Sequence, residues 1–183
     1  MDPQRFPERI ETERLLLRAY TKADAAAMLE LARENRERLR REFKEQARLQ
    51  TVVEAEQFIA AKLDLWKATK AFCYGIWNSE ARQVGQVQLK NIDWDIPSAE
   101  FGYFIGAAWQ QTGYATESLR VMSRVAFAEF GFERLFVRIL LSNDPSLRLV
   151  QKLGFQEEGI LRKGFRCGFG ELHDVRYLSL LRE

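Results

Sequence analysis

The sequence predicts an α/β fold: a mixed, mostly antiparallel twisted sheet of six to seven strands with helices on both faces. Three observations carry this expectation. Three consecutive segments between residues 72 and 105 alternate with the two-residue period of strands and are separated by turn residues. The segments 25–32, 55–66 and 119–130 repeat apolar side chains at spacings of three and four, the period of amphipathic helices. After residue 133 the chain returns to strand-like runs around one short helix, so strands and helices interleave within a single domain spanning residues 1–183.

The elements follow in order. Residues 1–11, with Pro3 and Pro7, read as an arm, and Arg14 to Tyr20 (RLLLRAY) as a first strand. Thr21 to Asp24 forms a capping box that opens a helix carrying Ala25, Met28, Leu29 and Ala32. No Gly or Pro occurs between Pro7 and Gly75, so two helices without strong punctuation are expected there. The second starts at the capping box Thr51 to Glu54 and buries Ala55, Phe58, Ile59, Leu63 and Trp66, with the stem of Lys62. Between them, Arg33 to Arg48 carries seven Lys or Arg against four Glu. That segment reads first as a solvated helical face or linker laced with i,i+4 pairs, and alternatively as a wall of a substrate entrance that contacts an acidic partner.

Phe72 to Trp77, Val84 to Asn91 and Ser98 to Ile105 then form an antiparallel meander, turning at Asn78 to Arg82 and at Trp94 to Pro97. Arg134 to Leu141 is an apolar strand suited to a buried position. A turn at Ser142 to Ser146 leads into a short helix from Ser146 to Leu153, stopped by Gly154. Phe155 to Arg162 and Leu172 to Leu181 are closing strands, joined by a Gly-rich connection from Lys163 to Glu171.

Composition excludes several classes of function. Apolar residues at 46% and charged residues at 30% are a globular mixture. No run approaches the roughly 18–20 apolar residues of a membrane span, so no membrane association is expected. The N-terminal MDPQRFPERIE lacks a signal-peptide core, and a cytoplasmic location is the expectation. A net charge of +2 argues against a general nucleic-acid role and leaves monomer and homodimer open. Cys73, Cys167 and His173 are scattered and fewer than the about four ligands of a structural zinc site, so no metal is expected. Cys167 and His173 also lack a third orienting group, and His173 reads as a strand residue near a substrate mouth.

Trp109 to Phe130 is the stretch that carries chemistry. Its apolar face, with Leu119, Met122, Ala126, Phe127 and Phe130, is that of a helix packed on a core. Its opening, Gln110, Gln111, Thr112, Gly113, Tyr114, Ala115 and Thr116, is polar and small. Gly113 permits a tight turn that leaves backbone N–H groups pointing out at the positive end of the helix dipole, where an anion can sit. A loop that merely caps a core helix would look similar.

Four features line up in order: a third meander strand (AEFGYFIG), a Q-x-x-G-Y-A turn at a helix start, an N-D-P-S turn after a buried strand, and a short helix ending in K-L-G-F. Together they resemble the GNAT superfamily of acyl-CoA-dependent N-acetyltransferases, over nearly the whole chain. Within it the resemblance is to the ribosomal-protein N-terminal acetyltransferase group, through T-x-R-L-x-L-R at Thr12–Arg18, G-Y-x-x-E at Gly113–Glu117, and N-x-x-S-x-x-x-x-x-K-x-G-F at Asn143–Phe155.

The resemblance implies the GNAT fold, acetyl-CoA as co-substrate without a metal, and acetyl transfer to a primary amine by direct attack in a ternary complex. The acceptor it favours is a protein N-terminal α-amine. A small amine such as a polyamine or an aminoglycoside-like drug, or a non-catalytic acyl-CoA-binding module, are the alternatives. The pyrophosphate would lie on the N–H groups around Gln111 to Ala115, the dipole adding roughly 0.3–1 kcal/mol, with Gln110 and Thr116 also binding the cofactor. The pantetheine arm would pair beside Phe104 and Ile105, with Asn143, Ser146 and Lys152 lining the same site. Glu100 would accept the amine proton through water, or else be a surface Glu on a half-exposed sheet. The superfamily's frequent tyrosine acid falls at Val150 and is absent, and the ribosomal-protein group's serine maps to Ser146. Ser146 also reads as a helix cap and Asn143 as a turn residue.

Overall fold

The computed structural model describes residues 6–183. It has eight strands, β1 (Arg9–Glu11), β2 (Leu15–Ala19), β3 (Phe72–Asn78), β4 (Gln83–Asp93), β5 (Ser98–Ile105), β6 (Arg134–Leu140), β7 (Gln156–Arg166) and β8 (Leu172–Leu181). Six helices accompany them, α1 (Ala25–Glu34), α2 (Arg36–Glu42), α3 (Lys44–Ala47), α4 (Val52–Lys67), α5 (Tyr114–Phe130) and α6 (Asp144–Lys152). The strands form one sheet in the order β1-β2-β3-β4-β5-β6-β8-β7. Every pairing is antiparallel except the parallel β5–β6 pair.

The α/β class and the helices on both faces are as the periodicities predict. The strand count is one above the expected range because Arg9–Glu11, read as part of an arm, pairs with β2. The remainder of that arm, residues 1–5, lies outside the described residues. One face of the sheet packs Val87, Leu89, Phe101 and Leu135 against Leu119, Met122 and Ala126 of α5. The opposite face carries Cys73 and Phe104 beneath Met28, Leu31 and Ile59 of α1 and α4. This division follows from strand alternation, which sends successive side chains to opposite faces.

Local chemistry sets the helix starts. Thr51 accepts from Glu54 N at 3.2 Å while Glu54 accepts from Thr51 N at 3.1 Å, the reciprocal pairing of a capping box. Asp24 accepts from Thr21 N at 2.7 Å, capping a short 3₁₀ turn ahead of α1. The charged segment is not one helix, since it breaks into α2 and α3 at Phe43, whose ring packs 5.0 Å from Phe104. Helix α6 starts two residues earlier than expected because Asn143, not Ser146, is its N-cap, accepting from Ser146 N at 3.2 Å. Strand β7 continues to Arg166, so the Gly-rich connection shrinks to a tight hairpin turn after it.

Two sequence motifs meet in space. Glu117, in the first turn of α5, accepts from Thr12 Oγ1 at 2.6 Å, Arg14 N at 3.1 Å and Arg14 Nε at 2.8 Å. The T-x-R segment ahead of β2 is thereby clamped to the helix whose N-terminus opens the cleft.

Candidate active site

Parallel pairing between β5 and β6 covers only Ser98–Arg134, Ala99–Leu135 and Glu100–Phe136. Past Glu100 the strands diverge, and Phe101 to Ile105 run on with β4 alone as partner. A fork therefore opens inside the sheet. It lies within a cleft of about 1310 Å³ bounded by α2 and α3 on one side and by the starts of α5 and α6 on the other.

The start of α5 has the conformation an anion-binding turn needs. Gln111 and Gly113 adopt left-handed φ values of 63° and 86°, and Gly113 is the N-cap of the helix. Consecutive turns of this kind point successive N–H groups outward. Gln110 to Gly113 are exposed around this turn. Arg14 Nη1 donates to Thr112 O at 3.0 Å and fixes its far side. Gln110, Gln111, Gly113, Tyr114, Ala115 and Thr116 all line the cleft, as do Lys152 and Ser146 from α6. Thr112 belongs to the same turn, its hydroxyl donating to Trp109 O at 2.7 Å. The residues the sequence singled out thus form one continuous polar turn at the head of the fork.

At the fork, Ser146 Oγ hydrogen-bonds the hydroxyl of Tyr103, a β5 residue that sequence reasoning passed over. Burial pushes the Tyr103 hydroxyl up to about 12, so it is a proton-bearing donor at neutral pH. The signal available was that an amphipathic tyrosine sat in the strand beside the expected pantetheine edge. Ser146 is half-buried, and its backbone N–H rather than its hydroxyl serves the cap. Asn143 also donates from Nδ2 to Glu42 Oε1 at 2.8 Å, so one side chain joins α6 to α2.

Glu100 is not on a half-exposed sheet; it is 3% exposed at the crotch of the fork. Its Oε1 receives Arg138 Nε at 3.1 Å and Lys90 Nζ at 3.5 Å, while Oε2 receives Asn91 Nδ2 at 2.6 Å and Arg138 Nη2 at 2.9 Å. Of the about four acceptor positions of a carboxylate, three are taken by hydrogen bonds, and the Lys90 ammonium lies as an ion pair beside Oε1. Phe104 contributes its ring to the α1–α4 core, and the Ile105 carbonyl accepts from Arg38 Nη2 at 2.6 Å. Arg38 Nη1 is buried with no partner among the described residues.

One side of the cleft is roofed. Gly168, in the β7–β8 turn, donates its N–H to Arg40 O of α2 at 2.7 Å, and Arg40 stacks over Phe169 at 4.2 Å. A Cβ on Gly168 would lie 2.4 Å from that carbonyl oxygen, so only glycine permits the approach. Residues from Arg38 to Gln46 of the charged segment line the cleft. The β7–β8 turn brings the ligand atoms of Cys167, Glu171 and His173 within 4.8 Å of one another beside this roof. Arg41 lines the same small pocket. Among the described residues, no helix is long and apolar enough to cross a membrane.

Residues 14–156 match the family model described as acetyltransferase (GNAT) domain. The chain is 26% identical to the uncharacterized N-acetyltransferase YoaA of Bacillus subtilis (strain 168) over 174 residues, 94% of this chain and 96% of that protein. A ribosomal-protein-serine acetyltransferase from Vibrio cholerae, so described provisionally, superposes with a TM-score of 0.79 at 27% identity, covering 94% of this chain and 97% of that one. RimL, a ribosomal L7/L12 alpha-N-protein acetyltransferase solved with coenzyme A, shares the fold with a TM-score of 0.88 at 20% identity, covering 96% and 98%.

Proposed function

The chain belongs to the GNAT acetyltransferase family, and from that premise we propose that its acceptor is the α-amine of a protein N-terminus. As a member it is an acetyltransferase that uses acetyl-CoA and no metal. The observation that carries the choice of acceptor is the charge of the cleft. Outside α5 and α6 it is lined by seven Lys or Arg side chains and three carboxyls, Glu42, Glu45 and Glu100. Glu100 is ion-paired with Arg138 and Lys90, and Glu45 is paired with Lys62 Nζ at 2.9 Å. A polyamine or an aminoglycoside brings several positive charges and would be repelled by such a wall. A peptide N-terminus brings one, and that one is easily lost. An α-amine has a pKa of about 7.7–8.0, against about 10.4 for lysine, so much of it is neutral near pH 7.5. The similarity to the Vibrio cholerae protein points the same way.

The site residues divide the work as follows in this proposal. The turn at Gln110 to Thr116 holds the pyrophosphate by backbone N–H groups and helix dipole, and Lys152 adds a positive charge beside it. The arm enters along Phe104 and Ile105, where β5 lacks its β6 neighbour. Asn143 fixes the start of α6, and with it the position of Ser146. The Ser146 hydroxyl, backed by Tyr103, donates toward the departing sulfur, whose intrinsic pKa of about 8.5 makes that help useful but not indispensable. Two carboxyls, Glu100 and Glu42, face the cleft from opposite sides and are the candidates for receiving the amine proton.

The test is to incubate the enzyme with acetyl-CoA and a peptide that has both a free N-terminus and an internal lysine, then locate the added acetyl by tandem mass spectrometry. The proposal expects it on the N-terminal residue. Acetyl found on the lysine alone would refute it.

A further inference from the structure

We infer that Glu42 of α2, rather than Glu100, receives the proton that the acceptor amine gives up. The inference rests on the acetyl-transfer reading above. It is drawn from how each carboxyl is engaged. Glu100 is 3% exposed, accepts three hydrogen bonds from Arg138 and Asn91, and is ion-paired with both Arg138 and Lys90, so two fixed cations already hold its charge. Glu42 has one hydrogen bond, Asn143 Nδ2 to Oε1 at 2.8 Å, and no ion pair among the described residues. Its Oε2 is therefore free in a cleft it lines together with Ser146 and Tyr103.

The position is as telling as the vacancy. Asn143 bonds Glu42 through its amide nitrogen and the Ser146 backbone N–H through its oxygen, so one side chain ties the carboxyl to the residue that carries the proposed donor hydroxyl. A thioester carbonyl held at the fork would lie between them, which is where an attacking nitrogen must arrive. Arg38 and Arg41 of α2 face Glu42, as do Tyr103 from β5 and Asn143 from the turn before α6. Burial raises the Glu42 carboxyl above the usual range, opposed by Asn143 and by the two arginines. A raised carboxyl is a better match for an amine proton near neutral pH.

The step balances. The ammonium gives one proton to Glu42 Oε2, and the neutral nitrogen attacks the carbonyl carbon. A C–N bond forms and the C–S bond breaks, with the electron pair leaving on sulfur. The second nitrogen proton passes to sulfur by way of the Ser146 and Tyr103 hydroxyls, and Glu42 later releases its proton to solvent. The products are an amide and a free thiol.

The experiment compares the full-length enzyme with Glu42→Gln and Glu100→Gln across pH 6–9.5. It uses acetyl-CoA and whichever amine the wild type acetylates, an unblocked alanine-started peptide or an N-blocked peptide with one lysine. Gln at 42 keeps an oxygen to accept from Asn143, so the fold is expected to survive, which a melting curve checks. Glu42→Gln is expected to lower kcat by about 10²-fold at pH 7. Its KM for acetyl-CoA should stay within about threefold, and the deficit should shrink as pH rises and solvent takes the proton. The inference is overturned if Glu42→Gln retains kcat within twofold. It is equally overturned if the loss does not vary with pH, or if Glu100→Gln alone shows the pH-dependent loss. Wild-type turnover on the blocked lysine peptide only would refute the N-terminal acceptor and still leave Glu42 tested on that amine.

Discussion

Removing the Ser146 hydroxyl separates a structural from a chemical role, because the structure isolates what the hydroxyl does. It does not cap α6, since Asn143 holds that position. Ser146→Ala therefore removes one hydrogen bond, to Tyr103, and leaves the phenol buried without it. A neutral hydrogen bond contributes about 0.5–1.5 kcal/mol, and an orphaned buried group costs about 1–3 kcal/mol. For a domain of this size, about 1 kcal/mol moves the melting temperature by roughly 2–4 °C. Tyr103→Phe in the same chain removes the orphan, so the double variant should recover most of the melting temperature. The rate behaves differently if the hydroxyl faces the sulfur. Ser146→Ala should lower kcat by roughly 10–10³-fold with acetyl-CoA affinity within a few-fold, and the double variant should be no faster. Calorimetry and stopped-flow thiol release on the three variants give both numbers. Recovery of kcat together with stability in the double variant would refute the reasoning and reduce Ser146 to a packing residue.

Other perturbations follow from the same geometry. Gly113→Glu forces a side chain onto a φ of 86° and a negative charge into the turn, so acetyl-CoA binding should vanish from titration calorimetry while the circular dichroism stays native. Gly168→Ala places a Cβ 2.4 Å from Arg40 O and should lift the hairpin from α2, raising the acceptor KM about fivefold, the loss of one hydrogen bond, with acetyl-CoA affinity unchanged in the same titration. Glu42 is held above its unfolded value of about 4.3, so its contribution is full below that pH and is lost as pH rises through the folded value. Glu42→Gln should accordingly melt higher than wild type at pH 7–8 and lose that advantage near pH 4, as thermal scans at the two pH values will record. Asp24 is the opposite case: burial pushes it up, but hydrogen bonds from Arg18 and Thr21 hold it low, so its stabilisation is present at neutral pH and lost in acid. Asp24→Asn should lower the melting temperature at pH 7 and have little effect near pH 2.

The periodicities made the sheet, the two-sided helices and α5 legible, because burial imposes spacing and spacing is written in one dimension. The capping boxes at Thr21 and Thr51 are legible for a related reason, since their partners are three residues apart. The phosphate-type turn was legible because Gly113 sits where only a residue free of Cβ enters the left-handed region easily. The carboxyls were not. Glu100 was open in sequence between a proton acceptor and a surface residue of a half-exposed sheet, and its burial was not legible because its surroundings come from Arg138 on another strand and Asn91 across a bulge. Glu42 looked like one charge of a solvated run, and its role depends on Asn143, a hundred residues away. Tyr103 was hidden for the same reason, its partner lying on α6. Glu117 read as an ordinary first-turn acid, although its ties to Thr12 and Arg14 join two of the motifs that mark the family.

The most direct test of the acceptor assignment is the ratio of kcat/KM for free-thiol release with two amines under identical conditions, an unblocked short peptide and spermidine. The cationic wall and the low proton affinity of an α-amine both favour the peptide, and the account predicts a ratio well above one that grows as ionic strength falls. A ratio below one, with spermidine turnover persisting at low salt, would contradict it.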